Sequence, residues 1–322
     1  VIMLTKNSNI TANFSGIDFS KYSSKVSEFV QEFSSRANKQ GQFLNWVNLP
    51  SEQAKRVDEI YSLAERLQSQ TGASKLSVMG IGGSKHTVEH MLSINGLNIK
   101  GDKIEFYSDV DSASLERFLY KLENNVLDSN FLIASKSGST FETKDGFLRV
   151  LAMLIDAYKA QGKSQEEAEK LAHKHFIAVT DKNAEKSELR RSSNEQGWLG
   201  DLFIHDDVGG RFSAFDDHAL FTLAYAGMKK EDMIAMLNAA QEISTESLTA
   251  DLDVNDALKE GIFWADAKLN GIITSVHQYM GSIFENTVYW NAQMQNESVK
   301  DTLKQIAKVP DAMHHSAEAH FN

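Results

Sequence analysis

Short apolar runs punctuate the first two thirds of the chain, and each gives way to a longer stretch with apolar positions every three to four residues. The runs at 76–79, 103–107, 131–134 and 175–179 read as strands, with 202–204 a candidate fifth. Helical spacing predicts helices over 18–39, 51–70, 84–93, 112–122, from 140 onward and near 185–191. Pro50, Ser51 and Glu52 mark the entry of the second helix, and Asp111 and Ser112 are candidate caps. From about 215 to 267 the pattern is mainly helical. A strand at 272–276 and a helix over 280–296 follow. Strands alternating with helices predict an α/β fold: a three-layer αβα sandwich around a parallel sheet.

One stretch organises the rest. The strand at 131–134 runs into Ser135, Lys136, Ser137, Gly138, Ser139 and Thr140 before helical spacing resumes. A helix N-terminus has unpaired N–H groups and a dipole that favours negative charge, so hydroxyls there suit a bound anion. The competing reading is a Ser/Thr cap with no ligand. A second strand-to-helix turn, Gly80-Ile-Gly-Gly-Ser84, allows close backbone approach. It is not a dinucleotide fingerprint, because the third glycine of that spacing falls on Lys85, and no P-loop spacing occurs. In a parallel sheet both turns lie beyond the carboxyl ends of the strands, where ligands bind.

Composition narrows the classes. The 322 residues suit roughly two domains. A net charge of −11 argues against nucleic-acid or anionic-membrane partners, so an anionic substrate needs a local site. Without cysteine there is no thiol nucleophile, disulfide or thiolate zinc site. No apolar run reaches membrane-spanning length, and the first residues lack the apolar core of a secretory leader; a cytoplasmic location is expected. Val1 and Ile2 ahead of Met3 read as extraneous.

Five motifs then occur in order: Gly80-Ile-Gly-Gly-Ser84, Ser135-Lys-Ser-Gly-Ser-Thr-Phe-Glu-Thr143, Val208-Gly-Gly-Arg211-Phe-Ser213, Gln293-Met-Gln-Asn-Glu297-Ser298 and His315-Ser316. Together they resemble the glucose-6-phosphate isomerase family, built from two sugar-isomerase (SIS) domains. The resemblance implies an aldose–ketose isomerase working through a cis-enediolate without metal or organic cofactor, and a homodimer with sites at the subunit interface. It implies phosphate binding by Ser84, Ser135, Ser137 and Thr140, with Gly83 and Lys136 also among the substrate-binding residues. Arg211 would stand beside the enediolate with Gly210 packed close. Glu297 would move the proton between C1 and C2, with Gln293 as a neighbouring substrate contact. His315, from the partner subunit, would open the ring. The implied domains are a helical segment over 1–65, a first SIS domain over 66–230, and a linker with the incomplete beginning of a second over 231–322.

These residue types fit the chemistry. Proton removal α to a carbonyl needs a tunable carboxylate, the enediolate needs a permanent positive charge, and ring opening needs an acid–base group near neutrality. Gln293 and Glu297, four apart, share one helix face. Taken singly, Glu297 is an ordinary solvated helix end and Arg211 a structural ion pair. His314, His315, Glu318 and His320 lack metalloprotease spacing, so no metal is expected. His173, His175, His205 and His218 have no motif around them and read as structural. Asp206, Asp207, Asp216 and Asp217 read as caps and solvated loop. The glycine the family carries before the lysine after its catalytic glutamate is missing ahead of Lys300. Gly138 replaces an aromatic position, and the approach to His315 departs from the usual lead-in. The alternative to an enzyme is a sugar-phosphate-binding SIS module without turnover.

Overall fold

The computed structural model describes residues 14–308 apart from 15, 38, 99–102, 109–110, 137, 139, 273, 279–280 and 300–303. Two compact units divide them. One takes 56–206 and 210–233; the other takes the described residues on either side together with 207–209.

The first of these units is the sheet domain. Helix α3 (Val57–Thr71) leads into β1 (Lys75–Met79), α4 (Gly83–Ile94), β2 (Ile104–Tyr107), α5 (Ser112–Leu122), β3 (Ser129–Ala134), α6 (Phe141–Ala160), α7 (Gln165–His173), β4 (Phe176–Thr180), α8 (Glu188–Glu195), β5 (Gly200–Phe203) and α9 (Asp217–Ala226). The five strands are all parallel in the order β2-β1-β3-β4-β5. This is a doubly wound sheet. The connection out of β1 runs to β2 on one side and the connection out of β3 runs to β4 on the other, opening a crevice between the carboxyl ends of β1 and β3.

Strand alternation fills both faces. Phe131 and Ile133 of β3 join Met79, Tyr107, Phe118, Phe147, Val150, Leu154, Phe176 and Trp198 in one buried cluster beneath α5 and α6. Leu132, Leu76, Val78 and Ile177 alternate to the opposite side, where α3 and α4 both pack on α9. The buried Tyr225 hydroxyl pins α9 beneath the sheet. It lies 3.0 Å from Asn130 Nδ2 and 3.0 Å from the carbonyls of Ala73 and Lys75.

The other unit contains α1 (Ser23–Ala37), α2 (Leu49–Ala54), most of α10 (Lys230–Glu246), α11 (Asp256–Leu269), α12 (Glu285–Val299) and two parallel strands, β6 (Thr274–Gln278) and β7 (Lys304–Lys308). The Tyr22 hydroxyl donates to Asp266 of α11, and Gln241 of α10 accepts the Ser51 N–H of α2 at 3.1 Å. Among the described residues no helix is long and apolar enough to cross a membrane.

Several elements differ from the sequence pattern. The helix expected over 51–70 is two helices, broken at Lys55 and Arg56, where the Arg56 guanidinium turns to Asp217. A tertiary ion pair outweighs helical spacing there. Helix α7 is additional, and it starts at a reciprocal capping box between Ser164 and Glu167. Strand β7 is also additional.

Candidate functional site

Three loops of the sheet domain meet at the β1–β3 crevice. The first is the turn after β1. Gly82, at φ +66°, enters α4, and its carbonyl accepts both the Lys85 and His86 N–H groups. A glycine can offer no side-chain cap, so apart from the Lys85 N–H that Gly82 takes, the first turn of α4 has no cap on its N–H groups. Glycine is needed at 80 and 83 for space. A Cβ on Gly80 would stand 2.9 Å from the Cβ of Ala134, the last residue of β3. A Cβ on Gly83 would stand 2.0 Å from the Gly210 carbonyl oxygen.

The second loop follows β3. Ser135 is buried, its N–H donates to Val179 of β4, and its hydroxyl lies 3.0 Å from that of Thr140. The Gly138 N–H donates to the same Ser135 oxygen at 3.0 Å. Gly138 takes φ +76° and presses on the Leu189 backbone, so the loop is held closely where an aromatic residue would not fit. Thr140 stands at the cap position of α6, yet no side chain among the described residues caps that helix. The hydroxyls bond to one another instead, which removes the support from the simple capping reading. The Lys136 carbonyl is fixed by the Thr180 hydroxyl at 3.0 Å and the Asp181 N–H at 3.3 Å. The Lys136 ammonium reaches the Asp206 carbonyl at 3.3 Å and its carboxylate at 3.6 Å, an exposed pair worth little in water.

The third loop is the 3₁₀ turn Gly210–Phe215. The Ser213 hydroxyl donates to the Gly210 carbonyl, and the half-buried Arg211 guanidinium lies 4.6 Å from the Phe212 ring centre. Behind this turn is a charged network that the sequence did not announce. Asp216 caps α9, as its position implied, but neither it nor Asp217 is solvated: both are fully buried. Asp216 accepts from His205 Nδ1 at 2.6 Å and the Asp217 N–H at 2.8 Å. Asp217 takes the Arg56 guanidinium and the Phe203 N–H. Burial alone would push the His205 pKa down, but the Asp216 hydrogen bond and charge hold it above its ordinary value. Burial opposes ionisation of Asp216 too, and His205 more than compensates, holding it below the usual carboxylate range. His205, Asp216 and Asp217 are close enough to chelate an ion. Their oxygens already receive N–H donors, and the Arg56 charge beside them opposes a cation.

The other unit carries Gln293 and Glu297 on α12, where Gln293 Nε2 donates to Glu297 Oε1 at 2.8 Å across one turn. Ser137 and His315 lie outside the described residues, as do His314, Glu318 and His320. Of the remaining candidates, Gly83, Ser84, Ser135, Lys136, Thr140, Gly210 and Arg211 belong to the sheet domain.

A family model described as phosphoglucose isomerase matches residues 35–308. A glucose-6-phosphate isomerase of Caldanaerobacter subterraneus subsp. tengcongensis is 30% identical over 254 residues, 75% of this chain and 52% of its own length. One from Exiguobacterium sibiricum is 27% identical over 292 residues, 86% of this chain and 60% of its own. The chain thus spans little more than half the length of these relatives. Among solved structures, a hypothetical protein from Thermus thermophilus superposes with a TM-score of 0.77 at 20% identity, covering 94% of this chain and 68% of that one. A glucose-6-phosphate isomerase from Chlamydia trachomatis gives 0.70 at 20% identity, covering 92% and 62%. These two likenesses establish the fold.

Proposed function

The chain belongs to the phosphoglucose isomerase family, and from that membership we propose that it acts as an aldose–ketose isomerase on glucose 6-phosphate and fructose 6-phosphate. One observation carries the reading: α4 and α6 follow neighbouring strands and start at the same crevice, and no side chain caps either N-terminus among the described residues. Their open N–H groups and dipoles suit a dianion. Gly83 and Ser84 supply one wall of the phosphate site, and Ser135, Ser137 and Thr140 the other. Lys136 adds a charge, since its exposed pair with Asp206 gives way readily to a phosphate.

In this reading Glu297 takes the proton from C2 of the open-chain aldose and returns it to C1 of the cis-enediolate, while the hydroxyl proton passes from O2 to O1, leaving the carbonyl at C2 and a hydroxyl at C1. Gln293 orients the Glu297 carboxylate and contacts the substrate. Arg211 stays charged throughout and stabilises the enediolate oxygen, with Gly210 allowing close approach. His315 of a partner subunit opens the ring. The protein's own acid–base groups suffice, and no metal or organic cofactor enters the reaction.

Glu297→Gln tests the reading. It keeps the side chain's shape and its partner but removes the base. Isomerisation and solvent-deuterium exchange at C1 and C2 should fall by about 10²–10⁴-fold while fructose 6-phosphate binding changes little. Exchange at the unmodified rate refutes the role of Glu297. An unmodified chain that binds fructose 6-phosphate without any exchange is instead a sugar-phosphate-binding module.

A further inference from the structure

The loop after β3 is moulded on its neighbour strand. The Ser135 N–H donates to the Val179 carbonyl, and the Lys136 carbonyl accepts the Thr180 hydroxyl at 3.0 Å and the Asp181 N–H at 3.3 Å. Thr180 closes β4, whose other residues, Phe176 to Val179, are all apolar and buried. Its side chain is fully buried, and its hydroxyl lies 2.5 Å from that of the equally buried Ser187. Ser187 caps α8 by accepting the Arg190 N–H at 3.1 Å. Buried hydroxyls are costly unless bonded, and an apolar β-branched residue would suit the end of a buried strand as well.

The proton directions follow from the partners. A carbonyl only accepts, so the single Thr180 hydroxyl proton goes to Lys136. Ser187 then gives its own proton to Thr180, and its oxygen takes the Arg190 N–H. One directed chain runs from the α8 backbone through Ser187 and Thr180 to the Lys136 carbonyl. Its origin is anchored, because the buried Arg190 guanidinium donates to the carbonyls of Asp181 at 3.2 Å and Leu202 at 3.3 Å. The Lys136 carbonyl is thereby turned toward β4, on the side of β3 away from β1 and the crevice. A carbonyl oxygen carries partial negative charge, so at an anion site it must face away while N–H groups face in.

We propose that Thr180 is a positioning residue for the phosphate site: held in turn by Ser187, its hydroxyl keeps the Lys136 carbonyl turned away from a bound phosphate. The inference rests on the anion site proposed above and adds two hydroxyls that touch no substrate. Without the Thr180 bond, the carbonyl is held by the longer Asp181 contact alone. Its lone pairs then repel a dianion wherever the loop relaxes toward the crevice.

Three variants separate positioning from support. Thr180→Ser keeps the hydroxyl, and Thr180→Val keeps the shape without it. Thr180→Val combined with Ser187→Gly removes both hydroxyls at little cost to the α8 cap. Calorimetry with inorganic phosphate and with fructose 6-phosphate gives affinity, and scanning calorimetry gives Tm. Thr180→Val should bind both ligands about tenfold more weakly and melt lower, because the Ser187 hydroxyl is orphaned. The double variant should melt above the single one, since that orphan is gone, yet stay about tenfold weak. Thr180→Ser should bind within about threefold of the unmodified chain. Unimpaired binding by Thr180→Val overturns the proposal, as does a Thr180→Ser variant weakened as much as Thr180→Val. Affinity that recovers together with Tm in the double variant also overturns it, since the role is then support alone. If Thr180→Val fails to fold, the double variant decides, and binding like that of the unmodified chain overturns the role. If the unmodified chain binds neither ligand, the anion-site reading falls and this proposal with it.

Discussion

Replacing Gly83 by alanine tests the junction between the β1–α4 turn and the Arg211 turn, on which the proposed phosphate site depends. The added Cβ would lie 2.0 Å from the Gly210 carbonyl oxygen, 2.3 Å from its carbon and 2.9 Å from its Cα. Ordinary contact begins at 3.4 Å, so the two backbones must part by roughly 1.4 Å. No rotamer relieves the overlap, since both sides are main chain. Gly83 does not occupy the left-handed region, so space alone is at issue. Overpacking of this kind costs about 1–3 kcal/mol, or roughly 2–12 °C in Tm for a unit of this size. The effect on function should be larger, because a misplacement of about 1 Å between groups acting on one substrate can cost ~10²-fold in rate. Scanning calorimetry, phosphate titration and a coupled isomerase assay would read the three quantities. Gly261→Ala in α11 is the control. Its Cβ meets nothing within 4 Å and its backbone is helical, so alanine should stabilise by about 0.5–1 kcal/mol. If Gly83→Ala behaves like Gly261→Ala, with affinity and Tm intact, the backbone seat of α4 on Gly210 is not what fixes the site.

The remaining predictions concern the buried charges behind that seat. His205 has a raised pKa when folded, so its stabilisation is fully present below its ordinary value of 6.5 and is lost as pH rises through the folded value. His90, His175 and His218 are shifted downward by burial and act in the opposite sense. The measurable quantity is therefore the stability difference between the unmodified chain and His205→Gln by urea unfolding. It should shrink as pH rises above 6.5, and a difference independent of pH from about 5 to 9 would refute the charged pair. Asp216, shifted downward, adds stability above 3.8 that is lost on further acidification. Arg56→Met removes the cation from the fully buried Asp217 and should cost about 3–5 kcal/mol; Arg56→Met combined with Asp217→Leu should recover most of it, and no recovery would mean that the pair is not the cause.

The sequence by itself determined the strand-and-helix rhythm of the sheet domain, because buried parallel strands must be apolar and their covering helices must be amphipathic. It also marked the two loops where strands run into helix N-termini. Gly80 and Gly83 are legible because crowding admits no larger residue, Gly82 because its φ of +66° favours glycine, and the hydroxyl run from Ser135 to Thr140 stands out in composition. The helix break at Arg56 was hidden, since it depends on Asp217, which is remote in sequence. Helix α7 was legible in principle through Ser164 and Glu167, a local signal. The burial of Asp216 and Asp217 was not: a polar pair before a helix reads as a solvated cap until Arg56 and His205 arrive from elsewhere. That Ser135 and Thr140 bond to each other rather than cap α6 was equally undecided, because either geometry satisfies the same residues. Local patterns record what each segment buries and where it must turn. Which charges meet in the interior, and whether a hydroxyl caps its own helix or leaves the N–H groups open, depends on groups brought together only when the sheet closes, and that the tertiary structure alone decided.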